Sequence, residues 1–150
     1  MQTLHFPQYP FRIKNSENKH VIFDAIRKKF VHLTPEEWVR QHAIQYILEN
    51  GWVRKNLMNV EKQVTVGDVK KRYDIIAFDP NGSVYLVVEC KAPTVKINQD
   101  VFDQIARYNM ALQSRYLMVT NGLRHYYCTI DYQNEKYRFV QALPQYTPTY

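Results

Sequence analysis

No run of apolar residues in this chain of 150 extends beyond a few positions, whereas a helix needs about 20 to cross a bilayer. A membrane-spanning helix is therefore excluded. Cysteine is scarce as well. Cys90 and Cys128 each lie inside an apolar run, with neither a CxxC pair nor a Cys/His spacing around them, and they read as buried free thiols. The five histidines, His5, His20, His32, His42 and His125, are scattered with no pair at zinc-ligand spacing, which speaks against a zinc site. The opening residues MQTLHFPQYPFRIK lack the basic start and apolar core of a secretory signal, so the expected compartment is the cytoplasm. Internal repeats, low-complexity tracts and linkers are missing too. The length suits one domain with its own core. Its expected parts are an N-terminal arm over 1–19, a core over 20–140 and a frayed tail over 141–150.

What is present begins with charge. Twenty Lys and Arg against fourteen Asp and Glu leave a net +6, which favours an anionic partner such as nucleic acid. The basic clusters Arg27-Lys28-Lys29 and Lys70-Lys71-Arg72 are short, and clusters of that length are also what a solvated surface carries.

Local patterning follows. Phe11-Arg12-Ile13-Lys14 reads as a short edge strand ahead of the polar turn NSENK, while His20 to Leu33 fits helix and strand alike. In LTPEEWVRQHAIQYILENG, Thr34 is an N-cap, Pro35 fits the first helical position, Glu37 completes a capping box and Gly51 follows the end. Val39, Ala43 and Ile47, with Trp38, His42 and Tyr46 beside them, form one buried helical face. Val60, Lys62, Val64 and Val66 alternate with Glu61, Gln63 and Thr65 as an outer strand does, and Gly67-Asp68 turns the chain. Two strands follow, near 72–79 and 83–91, apolar on both faces and so expected in the middle of a sheet. A second helix is expected over Gln99 to Leu112. Phe102, Ile105, Asn109 and Leu112 make its buried face, and Gln104 and Tyr108, four apart, share an adjacent one. Strands near 116–120, 125–130 and 137–140 complete an α/β sandwich around a mixed sheet.

The stretch RYDIIAFDPNGSVYLVVECKAP carries the chemistry. Asn81-Gly82 is a strong hairpin signal, and a two-residue loop closed by Pro80 and Ser83 sets Asp74 opposite Glu89 on one face, about 5 Å apart at Cβ. Lys91 joins that face roughly 7 Å further along. Opposed carboxylates in a buried sheet repel unless a cation lies between them. Hard oxygen ligands with open positions suit Mg²⁺ or Mn²⁺, and a neighbouring lysine can hold a water, stabilise phosphoryl oxygens or act as a base. An acid, any residue and a lysine is a common triplet, present also in Glu17-Asn18-Lys19 and Asp68-Val69-Lys70. Only Glu89-Cys90-Lys91 ends an apolar strand with an acid in register on its neighbour. The bland reading of the same residues is a salt-bridged sheet end.

At these residues the chain resembles the PD-(D/E)XK phosphodiesterases, and more closely the N-terminal nuclease domain of type I restriction enzyme R subunits. The motif is Asp74, then fifteen residues on Glu89-Cys90-Lys91, with Tyr73 where the family name has proline. LTPEEWVRQ at 33–41, ECKAP at 89–93, FDQIARYN at 102–109 and VTNG at 119–122 carry the closer likeness, which runs over about residues 20 to 140. The resemblance implies a restriction-endonuclease-like three-layer sandwich, an αβββαβ core with an added C-terminal hairpin. It also implies Mg²⁺ or Mn²⁺ on Asp74, Glu89 and the Cys90 carbonyl, with Lys91 as the catalytic lysine. Gln104 and Tyr108 match a QxxxY element placed beside the active site against DNA. Glu37 matches an acid that many members supply from the first helix, although its capping-box role explains it equally. Lys70, Lys71, Arg72 and Arg107 are the expected DNA-binding cations. One departure is large, since an R subunit carries an ATP-driven translocase and these 150 residues hold no GxxxxGK[ST] loop. The expected activity is a Mg²⁺-dependent DNA endonuclease without that motor. It could be free-standing, cut from a longer chain, or a subunit recruited in trans by restriction-modification or repair partners. A homodimer, an RNA substrate, and a non-catalytic nucleic-acid- or protein-binding module on the same scaffold stay open as alternatives.

Overall fold

The computed structural model describes residues 1–147. The chain enters as an extended segment and then forms a three-stranded antiparallel sheet, β1 (Ile13–Ser16), β2 (Lys19–Asp24) and β3 (Lys29–His32). The span left open between helix and strand is thus extended, and the meander straddles the expected boundary between arm and core. The local cause is Asp24. Its carboxylate accepts the N–H groups of Ile26 and Arg27, both at 2.8 Å, an Asx-type turn that stops β2 and reverses the chain before a helix can start.

Helix α1 (Pro35–Glu49) begins as its capping signals require: the Thr34 hydroxyl accepts the Glu37 N–H at 3.0 Å. Strands β4 (Met58–Val66), β5 (Val69–Phe78) and β6 (Val84–Cys90) follow, then α2 (Gln99–Asn109), β7 (Tyr116–Thr120), β8 (His125–Asp131) and β9 (Lys136–Val140). The second helix is shorter than its periodicity suggests, because Met110–Leu112 tightens into a 3-10 turn and Gln113 adopts a left-handed conformation. The six later strands lie in sequence order in one sheet. Among the described strands only β6 and β7 run parallel, and α2 is the crossover that a parallel pair demands.

Alternating residues of the central strands separate the core into two layers. Ile75, Ala77, Leu86, Val88 and Met118 pack with Val39, Ala43, Ile44 and Ile47 of α1. On the other face Ile76, Val87, Leu117, Val119 and Cys128 pack with Phe102, Ile105 and Ala106 of α2. The result is the expected three-layer sandwich around a mixed sheet. Of the tail expected to fray, residues 148–150 lie outside the described residues. The part before them is docked, since Leu143 is buried and the Tyr146 N–H donates to the Gly51 carbonyl at 2.9 Å.

The N-terminal segment closes the α1 side of this core. The His5 N–H donates to the Gly122 carbonyl at 2.7 Å, and Leu4 and Phe6 are buried. Gly122 has φ +86, and a Cβ there would lie 2.8 Å from a Leu4 methyl, so the turn needs glycine on both counts. Phe6 stacks near His42 and, at 4.1 Å between centroids, on His125. The His125 Nε2–H donates to the His5 carbonyl and Nδ1 accepts from Thr120, while the His42 Nδ1–H donates to the Trp38 carbonyl. Burial holds both imidazoles below the ordinary histidine range. The unfolded chain therefore takes up protons near pH 6.5 that the folded chain refuses, so stability is full above that pH and is lost as pH falls through it. Thermal melts taken from pH 8 downwards are expected to show this loss, and His42→Gln with His125→Gln is expected to flatten the curve.

Candidate active site

The hairpin of β5 and β6 positions the site. Its loop is one residue longer than expected: Asp79 and Ser83 close it, with Asp79 N–H to Ser83 carbonyl at 2.8 Å and Gly82 at φ +90. A bulge next to the loop, between Ala77 and Phe78, compensates. Phe78 pairs with Val84, but Ala77 pairs with Leu86, which restores the predicted register for Ile75 with Val88. The ladder then stops one pair short of Asp74 and Glu89. In place of a backbone bond, the Cys90 N–H donates to the Asp74 carboxylate at 2.8 Å, so the strands part at this end of the sheet.

The expectation that both acids stand on one face needs correction. Glu61, across from Asp74 on β4, has φ +56, a left-handed conformation uncommon for this residue type. The ladder skips this one pair between Val60 with Ile75 and Lys62 with Tyr73. The break turns Asp74 towards α1, where Arg40 donates to it at 3.0 Å. Glu89 keeps the alternation of Val87, whose side chain is on the α2 face. The two carboxylates thus reach the parted end of the hairpin from either side. They still feel each other: burial and then the charge of Glu89 push the Asp74 carboxyl up to about 7. Lys91, a third exposed, places its ammonium 3.6 Å from Glu89, and its N–H anchors on the Thr120 carbonyl at 2.8 Å. The Cys90 thiol is buried, and burial raises it well above the ordinary range, so only the backbone of this residue is available for chemistry.

Behind Asp74 stands a network of side chains that sequence reasoning missed, apart from Glu37. Arg40 donates to both Glu37 oxygens, to Glu61 and to Asp74. Arg27 bridges Asp24 and Glu37, at 2.7 and 2.8 Å, and Gln41 donates to the same two acids. Burial opposes the charge on Glu37, but the bonds from Arg40 and Arg27 outweigh it and hold its carboxyl below the usual range. Glu37 is thereby joined to the site through Arg40, and it has no described contact with Glu89 or Lys91. A signal was present in the sequence, because Arg40, Ile44 and Ile47 fall on one helical stripe and a charge on such a stripe demands partners.

Of the other expected residues, Tyr108 is 58% exposed on α2. The Lys71 ammonium lies 4.7 Å from its ring and 5.0 Å from that of Tyr73. Gln104, on the same flank of α2, is exposed, and its side chain makes no hydrogen bond among the described residues. Lys70 and Arg72 are exposed at the start of β5. Arg107 stands apart from them, lining a cleft of about 500 Å³ with Asp103, Glu135 and Tyr137 between α2 and the last hairpin.

The donors present fit a divalent cation. Glu89 has no close hydrogen-bond partner among the described residues, and Asp74 uses one lone pair on each oxygen, leaving capacity on both. No group of three or more His, Cys, Asp and Glu able to hold a metal occurs among the described residues. The two carboxylates with free lone pairs are hard oxygen donors of the kind Mg²⁺ supplements with water or phosphate.

The site thus lies in a mixed sheet between two helical layers, parted beside two acids and a lysine. Residues 35–144 match the family model of the type I restriction enzyme R protein N terminus (HSDR_N), and the chain belongs to that family. The matched span opens at α1, so the β1–β3 meander lies upstream of it. Neither the curated proteins nor the solved structures gave a match. No helix among the described residues is long and apolar enough to cross a membrane.

Proposed function

We propose that this domain is a Mg²⁺-dependent DNA phosphodiesterase of the R-subunit type, working in the cytoplasm without a translocase of its own within these residues. What supports the reading is that Asp74 and Glu89 feel each other's charge beside the place where β5 and β6 part, with the Lys91 ammonium 3.6 Å from Glu89. Asp74, Glu89 and the Cys90 carbonyl would hold the metal. When bound, Mg²⁺ supplies Lewis acidity at a phosphoryl oxygen and a water of lowered pKa. Lys91 would orient or deprotonate an attacking water and offset charge on the phosphoryl oxygens. Gln104 and Tyr108 would flank the DNA strand on the α2 side of the parted strands, and Lys70 and Arg72 would hold phosphates on the α1 side. Targeting would come from restriction-modification or repair subunits in trans, or from pairing of two copies.

One observation favours a second reading. Both oxygens of Asp74 are already bonded, to Arg40 and to the Cys90 N–H, and an acid so engaged can serve a binding module without chemistry. Supercoiled plasmid incubated with Mn²⁺ or Mg²⁺ separates the two: nicked and linear products that vanish in chelator are expected. Calorimetric titration of the same metals should give a binding isotherm that Asp74→Asn removes. Intact plasmid together with no metal binding, with or without DNA, would leave the binding module.

A further inference from the structure

We infer that the free end of the β4–β5 hairpin is a two-stranded ribbon that enters the major groove of duplex DNA, an assignment that rests on the nuclease reading above. β6 leaves β5 beyond Ile75, yet β4 and β5 stay paired through Gln63 with Arg72, Thr65 with Lys70 and Val66 with Val69. From Lys62 to Arg72 the hairpin therefore runs on without a neighbour on the β6 side, and its residues are exposed except for Val64 and Lys71, which are half-buried. Four rises of about 3.4 Å carry the ribbon about 14 Å from Lys62 to the turn. A major groove is about 12 Å wide and 8.5 Å deep and admits a two-stranded ribbon.

The two faces of the ribbon differ. Val64 packs on the α2-side core and Lys71 lies over Tyr73 and Tyr108, so this face is turned to the protein. Gln63, Thr65, Lys70 and Arg72 occupy the other. Among the described residues their side chains make no hydrogen bond, and Arg72 has only a 3.8 Å ion pair with Glu61 while its side chain remains 64% exposed. Those four are amide, hydroxyl, ammonium and guanidinium groups, the types that meet base edges and phosphates. Lys62, Lys70, Lys71 and Arg72 against Asp68 make the segment strongly basic, which complements a polyanion. Arg72 is two residues from Asp74, so a duplex seated on this face brings its backbone to the candidate site. The same geometry chooses DNA over RNA, because the A-form major groove is too deep and narrow for side chains to enter.

The test is binding in the Lys91→Ala background with Mg²⁺ present, measured by anisotropy of a labelled DNA duplex. Adding Lys70→Ala with Arg72→Ala is expected to weaken binding at least about tenfold and to lower the log-salt slope by about 2. Lys19→Ala with Lys136→Ala removes the same charge from other parts of the surface, Lys136 lying on the opposite edge strand, and is expected to cost less than about threefold. Dimethyl sulfate should find guanine N7 protected by the parent and reactive with the ribbon variant. An RNA duplex of the same sequence should bind at least about tenfold more weakly. Equal weakening by the two pairs of substitutions, or guanine N7 unprotected in the parent complex, would overturn the assignment. Protection without any cleavage by the chain that keeps Lys91 would support the ribbon and overturn the nuclease reading instead.

Discussion

Lys91→Ala is expected to remove DNA cleavage, by roughly 10²- to 10⁴-fold, while leaving the melting temperature nearly unchanged. The two halves of this expectation have separate causes. Structurally the lysine contributes little. Its ammonium is a third exposed and meets Glu89 only at 3.6 Å, a pair of the kind worth at most about 1 kcal/mol, and the backbone bond from its N–H to Thr120 survives truncation. Chemically it is, among the described residues, the one cation paired with Glu89 at the parted end of the hairpin. A group that positions a water or offsets phosphoryl charge in the transition state contributes on the order of 10² to 10⁴ in rate. Lys91→Arg keeps the charge but spreads it over a planar fork, so it is expected to recover binding more than turnover. The check is single-turnover cleavage of plasmid at saturating protein beside a thermal melt of each variant. Cleavage by the alanine variant at the parent rate would remove Lys91 from the mechanism, and loss of cleavage together with a collapsed melt would show a structural role.

Much of this site was legible because its signals are local. Thr34, Pro35 and Glu37 start α1 where their chemistry says, and the alternation of apolar residues in β5 and β6 reports two covered faces. The register of the central hairpin came out right through two departures that cancel. The loop closes at Asp79 and Ser83, and the bulge beside Ala77 returns the strands to the expected pairing. Bulges of this kind have no residue signature beyond the turn itself. What the pattern hid is long-range. Glu61 sits in the middle of a strand with a backbone conformation no glycine announces, and that break is what turns Asp74 towards α1. The β1–β3 meander was obscured because VIFDAI satisfies both periods, and the choice fell to the Asp24 carboxylate and its backbone bonds. Arg40 read as an ordinary helical arginine because its partners lie 21 and 34 positions away in the chain.

Arg40→Ala is the substitution expected to cost the fold most. The guanidinium is 7% exposed and serves three acids, Glu37, Glu61 and Asp74. Removing it leaves Glu37 with the Arg27 guanidinium and the Gln41 amide, and leaves Asp74 facing Glu89 with the Cys90 N–H as its remaining donor. Deleting one member of a buried ionic cluster costs about 3–5 kcal/mol, mostly through the uncompensated charge that stays behind. Against the roughly 5–15 kcal/mol that holds a domain of this size together, that is a drop in melting temperature on the order of 10 °C. The sign of its pH dependence follows from the same charges. In the variant the acids around the gap escape the penalty by taking up protons, so their folded-state affinity for protons rises above that of the unfolded chain. Stability lost to the gap is then regained as pH falls and is lowest at neutral pH and above. The difference in melting temperature between wild type and variant is expected to be larger at pH 8 than at pH 5.5, a comparison in which the buried histidines cancel. Arg40→Met, which fills the space without the charge, is expected to melt above Arg40→Ala and still below wild type. A deficit under about 1 kcal/mol for both, flat across pH, would place Arg40 among exposed arginines whose ion pairs carry no weight.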